Sequence, residues 1–287
     1  MTDAYANLPP LADGGAVVIT GGAGGIGLAA AHRIAAMGLP VVIADLSGEK
    51  LRAAETAIRD AGGRVAAVPT DVSKPADLER LRDLAIKQFG HVGVLMLNAG
   101  IGLNPGGAWK DVEGWHTLMN VNLWGVIHGA QAFLPAMLAA QRPAYVIATG
   151  SKQGVTSPPG NAAYNVSKAA LKAYAEALQH ELRNTPGSAI SAHLLIPGYT
   201  FTGITGGGRV IEKPPAAWTG DQVVEYMLES LAKGDFYILC PDNDVARWMD
   251  EKRMAWAMGD LIENRPPLSR WHPEYKDAFA AYMAQDD

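Results

Sequence analysis

One cysteine, Cys240, in 287 residues excludes an intrachain disulfide and leaves no CxxC spacing for a metal. It lies in the apolar run Phe236 to Cys240, which reads as a buried strand with the thiol as core filler. Positive charge is also scarce. Lys and Arg number 24 against 29 Asp and Glu, a net charge of −5, which offers no electrostatic footprint for nucleic acid or an anionic membrane. No uninterrupted apolar run approaches the ~20 residues needed to cross a bilayer. The N-terminal Met1-Thr2-Asp3-Ala4-Tyr5 lacks the basic stretch and apolar core of a signal peptide. A soluble cytoplasmic protein is expected. The seven histidines (32, 91, 116, 128, 180, 193 and 272) show no ligand spacing, so no metal site is expected.

What the chain does have is regular alternation. Strand-like runs fall at 16–20, 40–45, 64–68, 92–97, 145–149, 189–196 and 236–240, separated by amphipathic stretches such as 25–38 and 48–61. Strands without polar alternation, joined through helices, imply a parallel sheet covered on both faces. The fold class is therefore α/β: a Rossmann-type, doubly wound parallel sheet of about seven strands. No linker, repeat or low-complexity tract divides 1–287, which reads as a single domain. Two features exceed the minimal pattern. The segment 198–218, with Gly203, Gly206, Gly207, Gly208, Pro214 and Pro215, reads as a mobile lid. Beyond 241 the chain carries Trp248, Trp256, Trp271, Tyr275, Phe279 and Tyr282, expected on a helix over about 243–263 and a shorter one near 273–284. Such aromatics pack on something, either the site of their own domain or a neighbouring subunit.

The first strand runs into Thr20-Gly21-Gly22-Ala23-Gly24-Gly25-Ile26-Gly27. Five glycines at the opening of a helix let backbone amides approach a pyrophosphate, with the helix N-terminus adding positive potential. A tight strand-to-helix turn is the plainer alternative, but the strand and helix context required of a dinucleotide motif is present. Asp45 ends the second strand, where a carboxylate binds the ribose hydroxyls of NAD and repels the 2′-phosphate of NADP. Leu46 follows, with no Arg or Lys beside it, so NAD is the expected cofactor. The alternative for Asp45 is a helix cap.

Tyr164 and Lys168 stand four apart at the start of a helical stretch reaching about 184, and so share a face. An ammonium beside a phenol favours the phenolate and is expected to lower its pKa. Taken alone, such a pair is more often a solvated helix surface. Ser151, at the end of the fifth strand, adds a third polar group where open parallel sheets bind ligands.

With these residues the sequence resembles the short-chain dehydrogenase/reductase family in its compact single-domain form, over about 16–240. The glycine turn with Gly21, Gly25, Ile26 and Gly27 matches that family's cofactor turn. Asp71-Val72 matches its adenine-pocket pair and Asn98-Ala99-Gly100 its turn after the fourth strand. Asn122, Ser151, Tyr164 and Lys168 match its four catalytic positions, and Pro197-Gly198 with Thr202 the segment that contacts the nicotinamide. The resemblance implies that Tyr164 exchanges a proton with the substrate oxygen during hydride transfer. It implies that Lys168 holds the nicotinamide ribose, that Ser151 hydrogen-bonds the substrate oxygen, and that Asn122 holds a water on the route to Lys168. A buried Asn satisfied by neighbouring backbone is the other reading of Asn122. Two departures stand out. Leu97 precedes Asn98 where the family often has a second Asn, and Lys152 follows Ser151, either as a solvent-facing loop residue or as a substrate contact.

Gly102, Leu103, Gln153, Val155 and Tyr199 are the expected pocket wall, with Tyr199, Phe201 and Trp218 pointing to an apolar or aromatic secondary alcohol or its ketone. No Arg cluster stands ready for an anionic substrate group, although Arg209 in the lid could serve one. Cyclic diols and hydroxysteroids are alternative substrates. A non-catalytic NAD(H) sensor and a metal-dependent alcohol dehydrogenase are alternatives of another kind. The resemblance also implies a homodimer or homotetramer built on the long helices carrying Asn122 and Tyr164.

Overall fold

The computed structural model describes residues 4–46, 48–205 and 212–285. Gly206, Gly207, Gly208 and Arg209 of the expected lid lie outside the described residues.

A short helix α1 (Pro9–Ala12) precedes β1 (Ala16–Thr20), which passes through the glycine turn into α2 (Gly25–Ala36). There follow β2 (Val41–Asp45), α3 (Glu49–Asp60), β3 (Val65–Pro69) and α4 (Pro75–Phe89). The second half runs β4 (Val92–Leu97), α5 (Val112–Met119), a π-helical turn at Asn120–Trp124 and α6 (Gly125–Ala140). After it come β5 (Ala144–Thr149), the single turn α7 (Gln153–Thr156), α8 (Ala162–Asn184), β6 (Ile190–Ile196), α9 (Gly220–Lys233) and β7 (Tyr237–Leu239). The tail forms α10 (Arg247–Ile262) and α11 (Lys276–Ala284).

The seven strands form one sheet in the order β3-β2-β1-β4-β5-β6-β7, and every pairing is parallel. β1 pairs on one side with β2 (Val18 opposite Val42) and on the other with β4 (Val18 opposite Leu95). The chain winds outward in both directions from that centre. It leaves a crevice above the C-terminal ends of β1 and β4, where such sheets bind ligands. Alternate residues of each strand feed two cores. One contains Val18, Leu95 and the buried faces of α4, α6 and α8, with Phe133 fully enclosed. The other contains Val17, Ile19 and the buried faces of α2, α3 and α9. Full burial of each such aliphatic side chain contributes roughly 1.5–3 kcal/mol. Cys240 lies in the second core, where burial pushes its thiol up to about 12.

α5, the π-helical turn and α6 make one continuous helix from Val112 to Ala140, long and apolar enough by composition to cross a membrane. It packs instead through Val126, Ala130, Phe133 and Met137 into the core against the sheet and α4. The sequence suggests an unbroken helix around Asn122, whereas the structure has a wide turn there.

The tail folds onto its own domain, with α10 packed against α7. Its first helix begins at Arg247 rather than near 243, because the Asp242 carboxylate accepts from the amides of Asp244 and Val245 and holds a turn. Trp256 is the hub. Its indole donates to Ser269 Oγ at 2.7 Å, Arg265 covers its ring at 4.2 Å, and Phe279 and Tyr282 approach within 5.3 Å.

Candidate active site

The glycine turn is shaped by close approach. A methyl on Gly27 would stand 2.3 Å from the Gly21 carbonyl oxygen and 2.7 Å from Asn98 Nδ2, so only glycine lets α2 start this near the strand end. Gly21 and Gly25 adopt positive φ (67° and 52°). The N-cap Gly24 supplies no side-chain cap, and space above its Cα is open. Among the described residues the first-turn amides of α2 therefore have no side-chain partners, a donor set suited to a pyrophosphate. Asp45 stands beside them, accepting from the amides of Ala23 (3.0 Å) and Leu46 (2.8 Å). Its carboxylate borders the turn, as a ribose-diol acceptor must. A dinucleotide fits these residues.

Asn98 acts as a clamp. Its amide nitrogen donates to the carbonyls of Thr20 and Gly21, and its oxygen accepts from Thr149 Oγ1 at 3.2 Å. The amides of Asn98 and Ala99 both donate to Thr20 Oγ1. The side chain thus ties together the ends of β1, β4 and β5. Asp71, after β3, spends its carboxylate on the amide and hydroxyl of Ser73 and on Lys74. The Ser73 hydroxyl bond is the main reason its pKa falls below the usual range. Val72, next along, is buried against Gly125 of α6.

Ser151, Tyr164, Lys168 and Asn122 converge across the C-terminal end of β5. Asn161 caps α8 by accepting from the Tyr164 amide at 3.1 Å, and its Nδ2 reaches Leu103 O at 3.0 Å, fixing where the phenol emerges. The Ser151 hydroxyl lies near enough to the Tyr164 phenol to draw its pKa downward. Lys168 Nζ donates to the Thr149 carbonyl at 2.7 Å and sits 5.8 Å from the centre of the Tyr164 ring. Asn122 is fully buried. Its amide nitrogen donates to Ile101 O, its oxygen accepts from Ile101 N, and Nδ2 also reaches Ser167 Oγ. The side chain is therefore satisfied largely by neighbouring backbone, and it fixes the loop after β4. Gly100 lies between it and Lys168, for a methyl there would stand 3.3 Å from Asn122 Oδ1 and 3.8 Å from Nζ.

The electrostatics correct one expectation. Burial holds the Tyr164 phenol above its ordinary range, and the Ser151 hydroxyl opposes that rise. Lys168 is itself drawn down to about 8 by burial. Its charge is directed at a carbonyl rather than at the phenolic oxygen, so the anticipated lowering of Tyr164 by Lys168 does not appear.

The cleft wall is partly as expected. Leu103, Tyr199 and Ile204 are exposed at the cleft, and Ile204 reaches the loop after β4 so closely that a methyl on Gly102 would meet it at 2.6 Å. Ile204 was not foreseen. Thr202 stands over the cofactor turn, its Cγ2 3.0 Å from where a Gly25 methyl would lie. At the base of the expected lid, Phe201 N donates to Trp218 O and Trp218 N to Tyr199 O. Trp218 itself turns inward against Tyr226 of α9, with ring centres 5.9 Å apart, and so leaves the substrate wall. Lys152 is also not where the sequence reading puts it. Its ammonium is enclosed by Asp242 (3.2 Å) and Asp250 (2.5 Å), because α10 packs over the loop that carries it.

Known proteins share the fold and much of the sequence. The short chain dehydrogenase family model matches residues 15–209. A 1-deoxy-11-beta-hydroxypentalenate dehydrogenase of Streptomyces exfoliatus is 34% identical over 266 residues, covering 89% of this chain and 94% of that protein. A short chain dehydrogenase/reductase from Burkholderia phymatum, solved in complex with NAD, is 31% identical and superposes with a TM-score of 0.80. That match covers 88% of this chain and 96% of the other. An alcohol dehydrogenase from the archaeon Thermococcus sibiricus, complexed with 5-hydroxy-NADP, is 26% identical with a TM-score of 0.68, over 76% of this chain and 90% of that one. The doubly wound sheet, the glycine turn and these similarities together make the chain a member of the short-chain dehydrogenase/reductase family of oxidoreductases.

Proposed function

We propose that this protein interconverts an apolar secondary alcohol and its ketone, with NAD as cofactor and Tyr164 as the general acid/base. The observation that carries the reading is the convergence of Ser151, Tyr164 and Lys168 at the end of β5, in the same crevice as the uncapped glycine turn. NAD, when bound, supplies the hydride acceptor.

The remaining chemistry belongs to the chain. Tyr164 takes the hydroxyl proton of the alcohol and returns it in the reverse reaction. Ser151 donates to the substrate oxygen and stabilises the charge that develops there. Lys168, held on the Thr149 carbonyl, is placed to bind the nicotinamide ribose, and Asn122 orders the loop beneath it. Gly21, Gly25, Ile26 and Gly27 cradle the pyrophosphate. Asp45 and Leu46 border the adenosine ribose, and Asp71 with Val72 the adenine. Asn98, Ala99, Gly100, Pro197, Gly198 and Thr202 line the rest of the cofactor's path.

Asp45 favours NAD over NADP, because its carboxylate would repel a 2′-phosphate. Exposed Leu103, Tyr199 and Ile204 favour an apolar substrate. The Streptomyces relative, by its name a dehydrogenase of a hydroxylated compound, is consistent with an alcohol. We also propose a cytoplasmic homodimer or homotetramer. Trp124 and Val166, exposed on the helices that carry Asn122 and Tyr164, are its natural contact.

The test is NADH formation from NAD or NADP with a panel of aliphatic, benzylic and cyclic secondary alcohols. Turnover with NAD on apolar alcohols supports the reading. Tight NADH binding with no turnover on any of them favours a sensor of the NAD/NADH ratio.

A further inference from the structure

We propose that Lys152 is a positioning residue that locks the C-terminal ends of β5, β6 and β7 to helix α10 and thereby sets the substrate side of the cleft. The proposal rests on the dehydrogenase reading for its functional consequence, but the lock itself stands on geometry alone.

Lys152 directly follows Ser151, so its backbone belongs to the loop after β5. That backbone is fixed at both ends. Its amide lies 3.4 Å from Pro197 O, after β6, and its carbonyl accepts from the amides of Val155 and Thr156. The ammonium then reaches Asp242, after β7, and Asp250, on α10. Asp242 Oδ2 also accepts from the Tyr199 amide at 3.1 Å, at the start of the lid. Gly198 makes the junction possible, since a methyl there would stand 2.7 Å from Asp242 Oδ2 and 2.8 Å from Lys152 Nζ. One cation thus gathers three neighbouring strand ends and the tail.

The charges are enclosed. The Asp242 and Asp250 side chains retain only 5% and 7% of their exposure, and Lys152 17%. Arg253 lies 3.6 Å from the other Asp250 oxygen, and Arg270 is near enough to feel both Arg253 and Asp250. Arg253 and Arg270 lie on the tail side of the cluster. Among the described residues, Lys152 alone carries the attraction across to the loop after β5. Breaking one member of a buried pair is costly, because it strands the partner's charge. Loss of Lys152 therefore strands the Asp242 and Asp250 charges and leaves Asp242 on the backbone amides of Tyr199, Asp244 and Val245 alone, which loosens the junction at Tyr199. The glycine turn after β1 keeps its own contacts, while Gly198 and Thr202 of the proposed cofactor path belong to the loosened segment.

The experiment compares wild type with Lys152→Met and Asp250→Asn, measuring kcat/KM for the best alcohol, the Kd for NADH and amide hydrogen exchange. In folded Lys152→Met, kcat/KM is expected to fall by about tenfold or more, as misplacement of reacting groups does. NADH affinity should fall by a clearly smaller factor than kcat/KM, because the glycine turn keeps its contacts, and exchange should quicken at Tyr199 and along α10. Asp250→Asn, which removes only the tail link, should show the same split more weakly, and it decides the matter if Lys152→Met does not fold. An unchanged kcat/KM, or an equal loss in NADH affinity, overturns the proposal. If wild type turns over no alcohol, the dehydrogenase reading fails separately. Hydrogen exchange then decides the lock, and unaltered protection at Tyr199 and α10 refutes it.

Discussion

The ammonium of Lys168 donates to the carbonyl oxygen of Thr149 at 2.7 Å, joining α8 to the last residue of β5. Burial lowers this lysine from 10.5 to about 8, so between those values it binds fewer protons folded than unfolded. Unfolding in that window takes up a proton, and stability therefore rises as the pH climbs from about 8 to 10.5. The gain is lost as the pH falls back through about 8. Thermal unfolding of the cofactor-free protein should show this rise in wild type but not in Lys168→Met. Parallel profiles for the two proteins would contradict the assignment.

Among the described residues, the Ser151 hydroxyl is what works against the raised pKa of Tyr164. Removing its hydroxyl should push the phenol higher still. In the proposed mechanism alcohol oxidation needs the deprotonated phenol, so the rising limb of kcat/KM should move to higher pH in Ser151→Ala. The plateau should also fall by about a hundredfold, as for loss of one oxyanion donor. A limb that stays in place, or moves to lower pH, would break the link between the two residues.

In the proposed function Asp45 sets the preference for NAD. Asp45→Ala should weaken NAD binding by about tenfold to a hundredfold, the loss expected for charge-assisted hydrogen bonds of ~1.5–3 kcal/mol. NADP should bind better than it does to wild type, because the repulsion is gone. Isothermal titration with both dinucleotides separates these effects, and an NADP affinity that does not improve argues against the carboxylate as discriminator.

Two glycines of the same turn should behave oppositely. Gly27→Ala drives a methyl into the Gly21 carbonyl and should destabilise the fold by roughly 1–3 kcal/mol. Gly24→Ala meets open space, and its backbone is extended at φ −166°. It should leave the melting temperature near wild type and weaken NADH binding, since the methyl stands over the cradle. Equal effects on stability would show that the turn is not shaped by close approach at Gly27.

The sheet was legible because its strands are apolar without alternation, as burial on both faces demands. Val17, Val18 and Ile19 show the reason, since successive residues enter different cores. The site was legible where it depends on local spacing: the glycine turn opening a helix, and Tyr164 one turn before Lys168. What escaped depends on distance. Asp242 meets Lys152 across 90 residues, brought there only by the adjacency of β5, β6 and β7. Lys152 therefore read as a loop residue. Trp218 read as a lid aromatic because nothing in its neighbourhood announces Tyr226 as a partner. The π-helical turn at Asn122 has no period to betray it. The direction of the Tyr164 shift escaped because helical spacing places Lys168 nearby but cannot show its ammonium committed to Thr149.

The most direct test of Tyr164 as acid/base is Tyr164→Phe, assayed beside wild type for NADH formation and for NADH binding. The ring and its packing survive this change, and only the exchangeable proton is lost. We expect kcat to fall by about a hundredfold to ten-thousandfold while the Kd for NADH stays near wild type. A Phe variant that turns over the alcohol at the wild-type rate would contradict the assignment.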